Sequence, residues 1–273
     1  ADVRALAEEK KISEELAGRQ VRYDFFDELM LEYGIDFTAT AHHRNDNAET
    51  IVMNFIRGSA TAGLCGIPYK RGNYIRPLLD VSREEIENYC GVHSLQYVTD
   101  KTNLDTVYTR NKIRNIFIPQ IEKGFNPNFC ETITANAQII RDDEAFLTGT
   151  AENEYRKTVK DGFADTQKIM NMHKAVARRV IRMMIADVSD LYDVSSVVVE
   201  NIYKLCSKNK TGAVCNVTKN IVARIEYGKL VISYTEDECE DFAYKIKIGE
   251  SRYISETGYT VEVSFADEKD KEA

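Results

Sequence analysis

Residues 38–59, TATAHHRNDNAETIVMNFIRGS, contain the densest group of side chains that could do chemistry. Within them, His42, His43, Asp46 and Glu49 fall within eight consecutive positions. Adjacent histidines at a strand end point to opposite faces, so we expect one to be packed and only one presented to a ligand. Two carboxylates at such a place suit a cationic ligand such as an amine. A purely structural interpretation is open as well, with Asp46 as a helix N-cap and Glu49 completing a capping box.

A dedicated transition-metal site is a third interpretation of this stretch. His43, Asp46 and Glu49 could converge on one ion, but the HExxH spacing of many zinc sites is absent. The other two histidines, His93 and His173, lie far away in the sequence. We therefore predict no metal held by the protein alone. Magnesium that arrives with a nucleotide needs only one or two carboxylates and stays an open alternative.

The elements around this stretch predict an α/β fold with a parallel sheet. Apolar periodicity and end signals predict helices over residues 13–33, 46–58 and 83–91, and strands over residues 35–41 and 74–80. Ser82 and Glu85 form a capping box for the third helix. Ligands of such sheets bind beyond the carboxyl ends of the strands, where strands hand over to helices. The stretch with the two carboxylates is such a junction.

Composition and pattern divide the chain into three regions. Residues 1–123 are predicted to form a truncated Rossmann-like α/β domain with a parallel sheet, ending in a helix that starts near Arg110. Residues 124–211 carry long helical patterns without a clear strand and are predicted to form an all-α domain. Residues 212–273 are predicted to be a short β segment with a hairpin at a Tyr-Gly-Lys turn, two acidic stretches being solvated.

The charge distribution limits the partners that the chain can bind. Residues 1–123 carry 16 basic and 19 acidic side chains, residues 124–211 carry 12 of each, and residues 212–273 carry 8 and 13. General affinity for nucleic acid favours a basic balance, so any RNA partner must use local basic patches.

The best basic patch is a stripe on one predicted helix, HKAVARRVIRMMI. Lys174, Arg178 and Arg182 follow one another at i, i+4 and i+8, with Arg179 beside them. Such a stripe is usually a solvated helix face. Here it is also the strongest candidate surface for an RNA backbone.

Cysteine usage and hydropathy indicate a compartment. The six cysteines include no CxxC pair, and no apolar run approaches the ~20 residues that a membrane-spanning helix needs. The chain begins without Met and without an apolar signal core. We therefore expect a cytoplasmic protein with reduced thiols and no membrane association, and we expect the chain to be a fragment.

An ordered series of motifs resembles the tRNA(Ile)-lysidine synthetases, which belong to the N-type ATP pyrophosphatase, or PP-loop, group. The motifs are ATAHHRNDNAETIVMNFIRGS, GLCGIP, RPLLDVSREEI and VTDKTNLDTVYTRNKIRN, followed by an Ile-Pro pair. The similarity runs to about residue 122 and continues weakly through HKAVARRVIRMMI.

The resemblance implies a ligase that modifies the wobble cytidine of tRNA(Ile) with anticodon CAU. In this family ATP, with magnesium, first adenylates the C2 oxygen of the base, and the ε-amine of L-lysine then displaces AMP to form lysidine. A protonated lysine needs carboxylate partners, and its proton must be accepted before the amine can attack.

The resemblance also implies roles for individual residues. Asp46 and Glu49 would contact the lysine, with His43 nearby. The motif RN-x-x-R would add Arg110, Asn111 and Arg114, whose guanidinium groups suit phosphates and an adenylated intermediate. They form one polar flank of a helix, a pattern that without the family is typical of a solvated face.

Contacts with the tRNA are predicted for a further set of cations. They are Arg57, Lys174, Arg178, Arg179 and Arg182.

Two departures from the family pattern bear on this prediction. The usual DDQ reads Asn45-Asp46-Asn47, which lowers the local negative charge. The phosphate-binding loop SGGxDS occurs nowhere in the 273 residues. We therefore expect a fragment that lacks the phosphate loop and is inactive by itself.

Three other functions remain open from the sequence. Another PP-loop tRNA-modifying enzyme, such as a thiolase, would be expected to carry a CxxC pair. A non-catalytic RNA-binding protein would keep the basic stripe but gives no reason for the paired carboxylates. A metal hydrolase would have to use the two adjacent histidines.

Overall fold

The computed structural model describes residues 2–97, 109–189, 194–235, 243–254 and 259–264. The chain divides into two compact units, Ala1–Thr148 and Gly149–Ala273. The boundaries predicted from composition, after residues 123 and 211, do not coincide with the division between these units.

The first unit is built mainly from helices. They are α1 (Val3–Lys10), α2 (Glu14–Tyr33), α3 (Arg44–Ile56), α4 (Thr61–Leu64), α5 (Arg83–Val92), α6 (Thr109–Lys112), a π-helical segment (Ile113–Phe117), α7 (Ile118–Gly124) and α8 (Phe129–Thr158), whose last turns belong to the second unit. Among its described residues, the strands β1 (Thr38–Ala39), β2 (Lys70–Arg71) and β3 (Tyr74–Ile75) form one sheet in the order β1-β3-β2.

Local end signals confirm two of the predicted helices. The Ser13 hydroxyl caps α2, and Gly34 ends it with a φ of 65°, a left-handed conformation that favours glycine. At the start of α5, the Glu85 amide donates to the Ser82 hydroxyl at 3.1 Å, and the Ser82 amide donates to Glu85 Oε2 at 2.7 Å. This is the capping box that the sequence predicts.

The predicted start of α3 is wrong. The N-cap is His43 rather than Asp46, and His43 Nδ1 accepts the Asp46 amide at 3.4 Å. The Asp46 carboxylate accepts the His43 amide at 3.1 Å, so Asp46 is the third residue of the helix and the return half of the capping box. An imidazole nitrogen serves here in place of a cap oxygen, which moves Glu49 into the helix interior.

The small sheet brings two chain segments to one edge. β1 and β3 are parallel, with Thr38 opposite Tyr74, and the Thr40 amide continues the ladder to the Ile75 carbonyl at 2.9 Å. β2 adds an antiparallel strand that the sequence does not predict. The carboxyl ends of β1 and β3 therefore lie side by side, and the chain continues from them into His42 and Arg76.

A small apolar core fixes α3 against the helices that follow residue 109. It consists of the buried residues Ala48, Val52, Ile113, Ile118 and Cys130. The predicted helix from about Arg110 is present, with a π-helical insertion in its middle. Insertions of this kind are frequent at functional sites.

The second unit combines helices with an antiparallel sheet. Its helices are α9 (Thr166–Asn171), α10 (Lys174–Val188) and α11 (Ser196–Lys208), and its described strands are β4 (Val159–Lys160), β5 (Phe163–Asp165), β6 (Val214–Asn216), β7 (Ile221–Glu226), β8 (Lys229–Tyr234), β9 (Ser251–Ile254) and β10 (Tyr259–Glu262). Five strands form a sheet in the order β4-β5-β8-β7-β6, while β9 and β10 pair with each other. α10 and α11 pack against the larger sheet over one apolar core.

Of two hairpins in this sheet, one was predicted from the sequence and the other was not. The β7-β8 hairpin is confirmed, with Tyr227 at φ 47° and Gly228 at φ 80° in its turn. The β4-β5 hairpin corrects the expectation of an all-helical stretch over residues 124–211. Its turn residues, Asp161 and Gly162, form the Asp-Gly pair that is a strong hairpin signal, but its strands are too short to show alternation.

Some sequence predictions lie outside the described residues. They concern the first part of VTDKTNLDTVYTRNKIRN, at residues 98–108, and the acidic stretches at residues 236–241 and 266–273. None of the helices in the described parts of the chain combines the length and apolar character that crossing a membrane requires.

Candidate functional site

Two carboxylates and two guanidinium groups form a closed cluster at the start of α3. Arg114 donates from Nε to Glu49 Oε1 at 2.6 Å and from Nη2 to Asp46 Oδ1 at 2.9 Å. Arg110 donates from Nε to Glu49 Oε2 at 3.0 Å and from Nη2 to Asp46 Oδ1 at 3.3 Å. The Glu49 side chain is 2% exposed and that of Asp46 is 14% exposed. The four formal charges cancel, as burial of charge requires.

The two arginines come to the cluster because they lie one turn apart on one helical face. Arg110 belongs to α6 and Arg114 to the π-helical segment, and Ile113 between them is buried in the core beneath α3. Burial alone would lower the pKa of Arg114, but its hydrogen bonds to Glu49 and the charges of Glu49 and Asp46 outweigh burial and raise the pKa.

The adjacent histidines occupy different environments, as the sequence predicts. His43 lies in the helix cap, with Nε2 3.4 Å from Asp46 Oδ2. His42 instead lines the cavity beside the cluster, with Nδ1 2.9 Å from the Thr40 hydroxyl. Burial lowers the pKa of both imidazoles below 6.5, against an opposing contribution from Asp46. Burial therefore favours the neutral form of both rings.

The two asparagines that depart from the family pattern hold neighbouring segments. Asn45 Oδ1 accepts the Arg83 amide at 3.0 Å, which ties α3 to the first residue of α5. Asn47 Oδ1 accepts the Ile67 amide at 2.8 Å. Gly66 approaches the same oxygen so closely that an added Cβ would lie 2.1 Å from it, and its φ is +70°. Neither asparagine lines the cavity.

A cavity of about 830 Å³ lies beside the cluster, and we call it the cluster cavity. Asp46, Arg110, Asn111 and Arg114 line it, whereas Glu49 lies beneath them and does not. The structure thus brings together the predicted residues of α3 and of the RN-x-x-R motif. The two carboxylates differ in depth, because Asp46 lines the cavity and Glu49 lies beneath it.

The contributions of α2 and of the segment after β1 are not predicted from the sequence. Arg19, Arg22 and Tyr23 of α2 line the cluster cavity, and so do Thr40 and His42. No signal in α2 distinguishes these side chains from those of a solvated helix face. The position of His42 at a strand end is visible in the sequence, but the motif resemblance implies a role at the site for His43 instead.

The part of the chain that contains this cavity matches a known protein family. Residues 1–121 match the family model described as the PP-loop domain. This part of the chain belongs to the PP-loop family.

The curated relatives that match the PP-loop domain and the residues after it carry one name. A tRNA(Ile)-lysidine synthase of Clostridium perfringens is 36% identical over 242 residues, covering 87% of this chain and 51% of that protein. The protein of the same name from Clostridium tetani is 38% identical over 240 residues, with coverages of 86% and 51%. That of Clostridioides difficile is 33% identical over 265 residues, with coverages of 92% and 57%. The chain spans about half the length of the curated relatives it matches.

Among solved structures, the U34-tRNA thiolase NcsA from Methanococcus maripaludis with its [4Fe-4S] cluster matches at 21% identity. The TM-score is 0.35, and the match covers 44% of this chain and 42% of that chain. A likeness this distant says nothing about the site.

PP-loop domains use ATP, and the cluster cavity can be tested for fit to it. Four guanidinium groups line the cavity, those of Arg19, Arg22, Arg110 and Arg114, and such groups suit phosphate oxygens. Magnesium fits less well, because both carboxylates that line the cavity already have cationic partners. Asp46 pairs with two of these arginines, and Glu14 Oε1 lies 3.8 Å from Arg4 Nε. Among the described residues, no three or more His, Cys, Asp or Glu side chains assemble into a metal site.

One further predicted site residue of the PP-loop domain, Arg57, lies away from the cluster. Arg57 is exposed at the C-cap of α3, about 16 Å along the helix axis from Asp46 at 1.5 Å per residue.

The basic stripe of α10 is largely engaged within the second unit. Lys174 Nζ lies 2.8 Å from Glu200 Oε1, and Arg178 Nη2 lies 2.5 Å from Glu200 Oε2. Arg182 donates to the Val194 carbonyl at 2.6 Å, and Arg179 donates to a backbone carbonyl of its own helix. Glu200 therefore offsets part of the positive charge of the stripe, which is weaker than its sequence suggests.

Proposed function

We propose that this chain carries part of a tRNA(Ile)-lysidine synthase. The proposed reaction is the ATP-dependent ligation of L-lysine to C2 of the wobble cytidine of tRNA(Ile) with anticodon CAU. The observation that carries the proposal is the paired carboxylate–guanidinium cluster at the edge of a cavity in a PP-loop domain. The name of the relatives, tRNA(Ile)-lysidine synthase, supports tRNA(Ile) as the substrate.

Asp46 is the proposed contact of the lysine ε-ammonium. It is the carboxylate of the cluster that lines the cavity, and it retains partial exposure. A cationic amine that enters the cavity can share Asp46 with the two arginines or displace one of them. Displacement is favoured when an anion draws the guanidinium group away.

Glu49 is proposed as a positioning residue rather than a direct lysine contact. Both of its oxygens are engaged by Arg110 and Arg114, and its side chain is almost completely buried. Its proposed role is to hold the two guanidinium groups charged and aimed at the cavity. The resemblance implies that Asp46 and Glu49 both contact the lysine. We propose a direct contact for Asp46 alone.

Arg110 and Arg114 are proposed to bind the phosphate of ATP and of the adenylated base. In the first step the C2 oxygen of cytidine attacks the α-phosphorus of ATP, and pyrophosphate leaves. In the second step the lysine nitrogen, after loss of a proton, forms a bond to C2. The C2–O bond then breaks and its electron pair leaves with AMP. Arginine contacts to the phosphate stabilise this leaving group.

The supporting residues have proposed roles that follow from their contacts. His43 holds Asp46 through the helix cap, and Asn111 offers its amide to a ligand in the cluster cavity. Arg57 and the α10 stripe are proposed to contact the tRNA backbone. Lys174 and Arg178 share the single carboxylate of Glu200, which makes the contribution of the stripe smaller than its sequence suggests.

The test is ATP-dependent incorporation of labelled lysine into tRNA(Ile) bearing CAU, using the complete reading frame that encodes this sequence. We expect Asp46→Asn to abolish lysine incorporation while ATP-dependent pyrophosphate release continues. Glu87→Gln is the matched control, because Glu87 forms an exposed ion pair with Arg83 on α5. The control should incorporate lysine like the unmodified protein.

Three results would contradict the proposal in different ways. Full incorporation of lysine by Asp46→Asn would show that Asp46 is not the lysine contact, although the chain would still catalyse lysine transfer. No incorporation by the unmodified protein, with tRNA binding intact, would favour a non-catalytic RNA-binding protein. Incorporation of sulfur instead of lysine would identify another PP-loop tRNA-modifying enzyme.

A further inference from the structure

Arg76 is a buried cation without an acidic partner among the described residues. It follows β3 and is 5% exposed. Its Nη1 donates to the Pro68 carbonyl at 2.7 Å, but its buried Nε has no hydrogen-bond partner. A neutral carbonyl does not compensate a buried positive charge, and a buried donor left unpaired is costly. An anion beside Arg76 would remove both costs.

Arg76 lines a second cavity, of about 650 Å³, between α2 and the β2-β3 hairpin, which we call the hairpin cavity. Arg19 and Arg71 line it as well, and the only carboxylate in its lining is that of Asp27. Asp27 Oδ1 already accepts the Tyr74 hydroxyl at 2.5 Å. Three cations thus face one engaged carboxylate, for a net charge of two. The positive charge of the lining favours an anionic ligand.

Two aromatic rings give the hairpin cavity an apolar wall. Tyr23 and Tyr74 meet edge to face, with ring centroids 4.7 Å apart. Arg19 lies over the Tyr23 ring at 5.0 Å. Tyrosine rings next to guanidinium groups suit a ligand that joins a planar or sugar-like part to an anionic group.

We propose that the hairpin cavity binds a phosphate group carried by a nucleotide. Arg76, Arg71 and Arg19 contact the phosphate oxygens, and the two tyrosines lie beside the ribose or base. Three guanidinium groups offer more donors than the two oxygens of a carboxylate can accept, whereas a phosphate has three peripheral oxygens. The volume suits a ligand of nucleotide size. The site is separate from the lysine contact at Asp46 and does not depend on lysine transfer.

The nucleotide can be free or part of an RNA strand, and calorimetric titration distinguishes the two. The probes are inorganic phosphate, cytidine 5′-monophosphate and a single-stranded RNA of five cytidines. Tighter binding of the monophosphate than of the RNA identifies a free nucleotide, and the reverse order identifies an RNA strand. Inorganic phosphate that binds as tightly as both would overturn the nucleotide assignment.

Variants localise the binding to the hairpin cavity. We expect Arg71→Ala to weaken binding of the preferred probe about tenfold, since it removes a charged hydrogen-bond donor. Lys70→Ala is the matched control, because Lys70 is the exposed neighbour on β2 and lines neither cavity. It should bind like the unmodified chain. Equal weakening by both variants, or no binding of any probe, would overturn the proposal.

Arg76→Met separates a binding role from a structural one. Replacing a buried unpaired charge by an apolar side chain of similar length should leave the Tm without ligand unchanged or higher. The same variant should lose binding by about a hundredfold. A lower Tm, together with unchanged binding by Arg71→Ala, would make Arg76 a structural residue and exclude the site.

Discussion

The two units contain ion-pair clusters of the same design. In the first unit Glu49 bridges Arg110 and Arg114, and in the second unit Glu200 bridges two cations that are also four residues apart on one helix. The glutamates differ in burial, with 2% of the Glu49 side chain exposed against 25% of the Glu200 side chain. The first cluster has a second carboxylate, Asp46, and adjoins a cavity.

This difference shows that burial, and not the pairing pattern, makes one cluster a candidate site. Water screens the charges around Glu200, so that pair costs little to form or to break. Around Glu49 the charges are removed from water and must compensate one another. A ligand of either sign that enters the cluster cavity therefore changes a balanced set of charges.

The largest expected contrast is in folding stability. Glu49→Gln should lower the free energy of unfolding by about 3 kcal/mol, because it removes the more deeply buried of the two carboxylates that compensate two partly buried guanidinium groups. Glu200→Gln should have a much smaller effect, since its partners are half-exposed. Urea unfolding of both variants measures the difference. Equal losses of unfolding free energy in the two variants would contradict the difference between the buried and the exposed cluster.

Arginine geometry should matter only in the buried cluster. Arg114→Lys keeps the charge but loses the fork that reaches Glu49 and Asp46 together, at a cost of about 2 kcal/mol. Arg178→Lys should leave stability nearly unchanged, because a lysine in water can still pair with Glu200. Thermal unfolding of the two variants at one salt concentration tests this. A larger loss for Arg178→Lys would contradict it.

The exposed cluster should reveal itself in acid. Hydrogen bonds from Lys174 and Arg178 lower the pKa of Glu200 from 4.5 to about 2. A lowered carboxyl pKa adds stability above the unfolded value of 4.5 that is lost as the pH falls towards 2. The unfolding difference between the unmodified chain and Glu200→Gln should therefore shrink over this range. Addition of 1 M salt should reduce the difference at pH 7, and insensitivity to both pH and salt would contradict the assignment.

The smallest effect should appear at the histidines beside the buried cluster. Burial lowers the pKa of His42 and His43, while the charge of Asp46 partly opposes this. Asp46→Asn should therefore lower both values further below 6.5. NMR titration of the imidazole signals measures the change. Values that rise in the variant would mean that Asp46 does not act on these rings as a carboxylate.

Local signals explain which elements were predicted correctly. Ser13 and Gly34 bound α2, and Ser82 with Glu85 begins α5, because these residues act on amides within one turn of the chain. The start of α3 was misassigned because a histidine, an uncommon cap, competed with an aspartate three residues later. The Asp-Gly turn of the β4-β5 hairpin was available as a signal, but helical periodicity around it dominated the prediction.

The four charged residues of the cluster were predictable from the sequence, but their arrangement was not. The motif resemblance named Asp46, Glu49, Arg110 and Arg114. It did not say that Glu49 lies beneath the cavity, or that both arginines pair with both carboxylates across more than 60 residues of sequence.

The sequence by itself determined both ends of α2, the start of α5, the β7-β8 turn, the parallel relation of two strands and the residue types of the charged cluster. These follow from steric and hydrogen-bond preferences that act over a few residues. Only the tertiary structure decided which charges are buried, that Glu200 pairs with the α10 stripe, and that Arg76 remains without an acidic partner in the described residues. Burial and charge pairing depend on segments far apart in the chain, and that distance is the physical reason why no local pattern contains them.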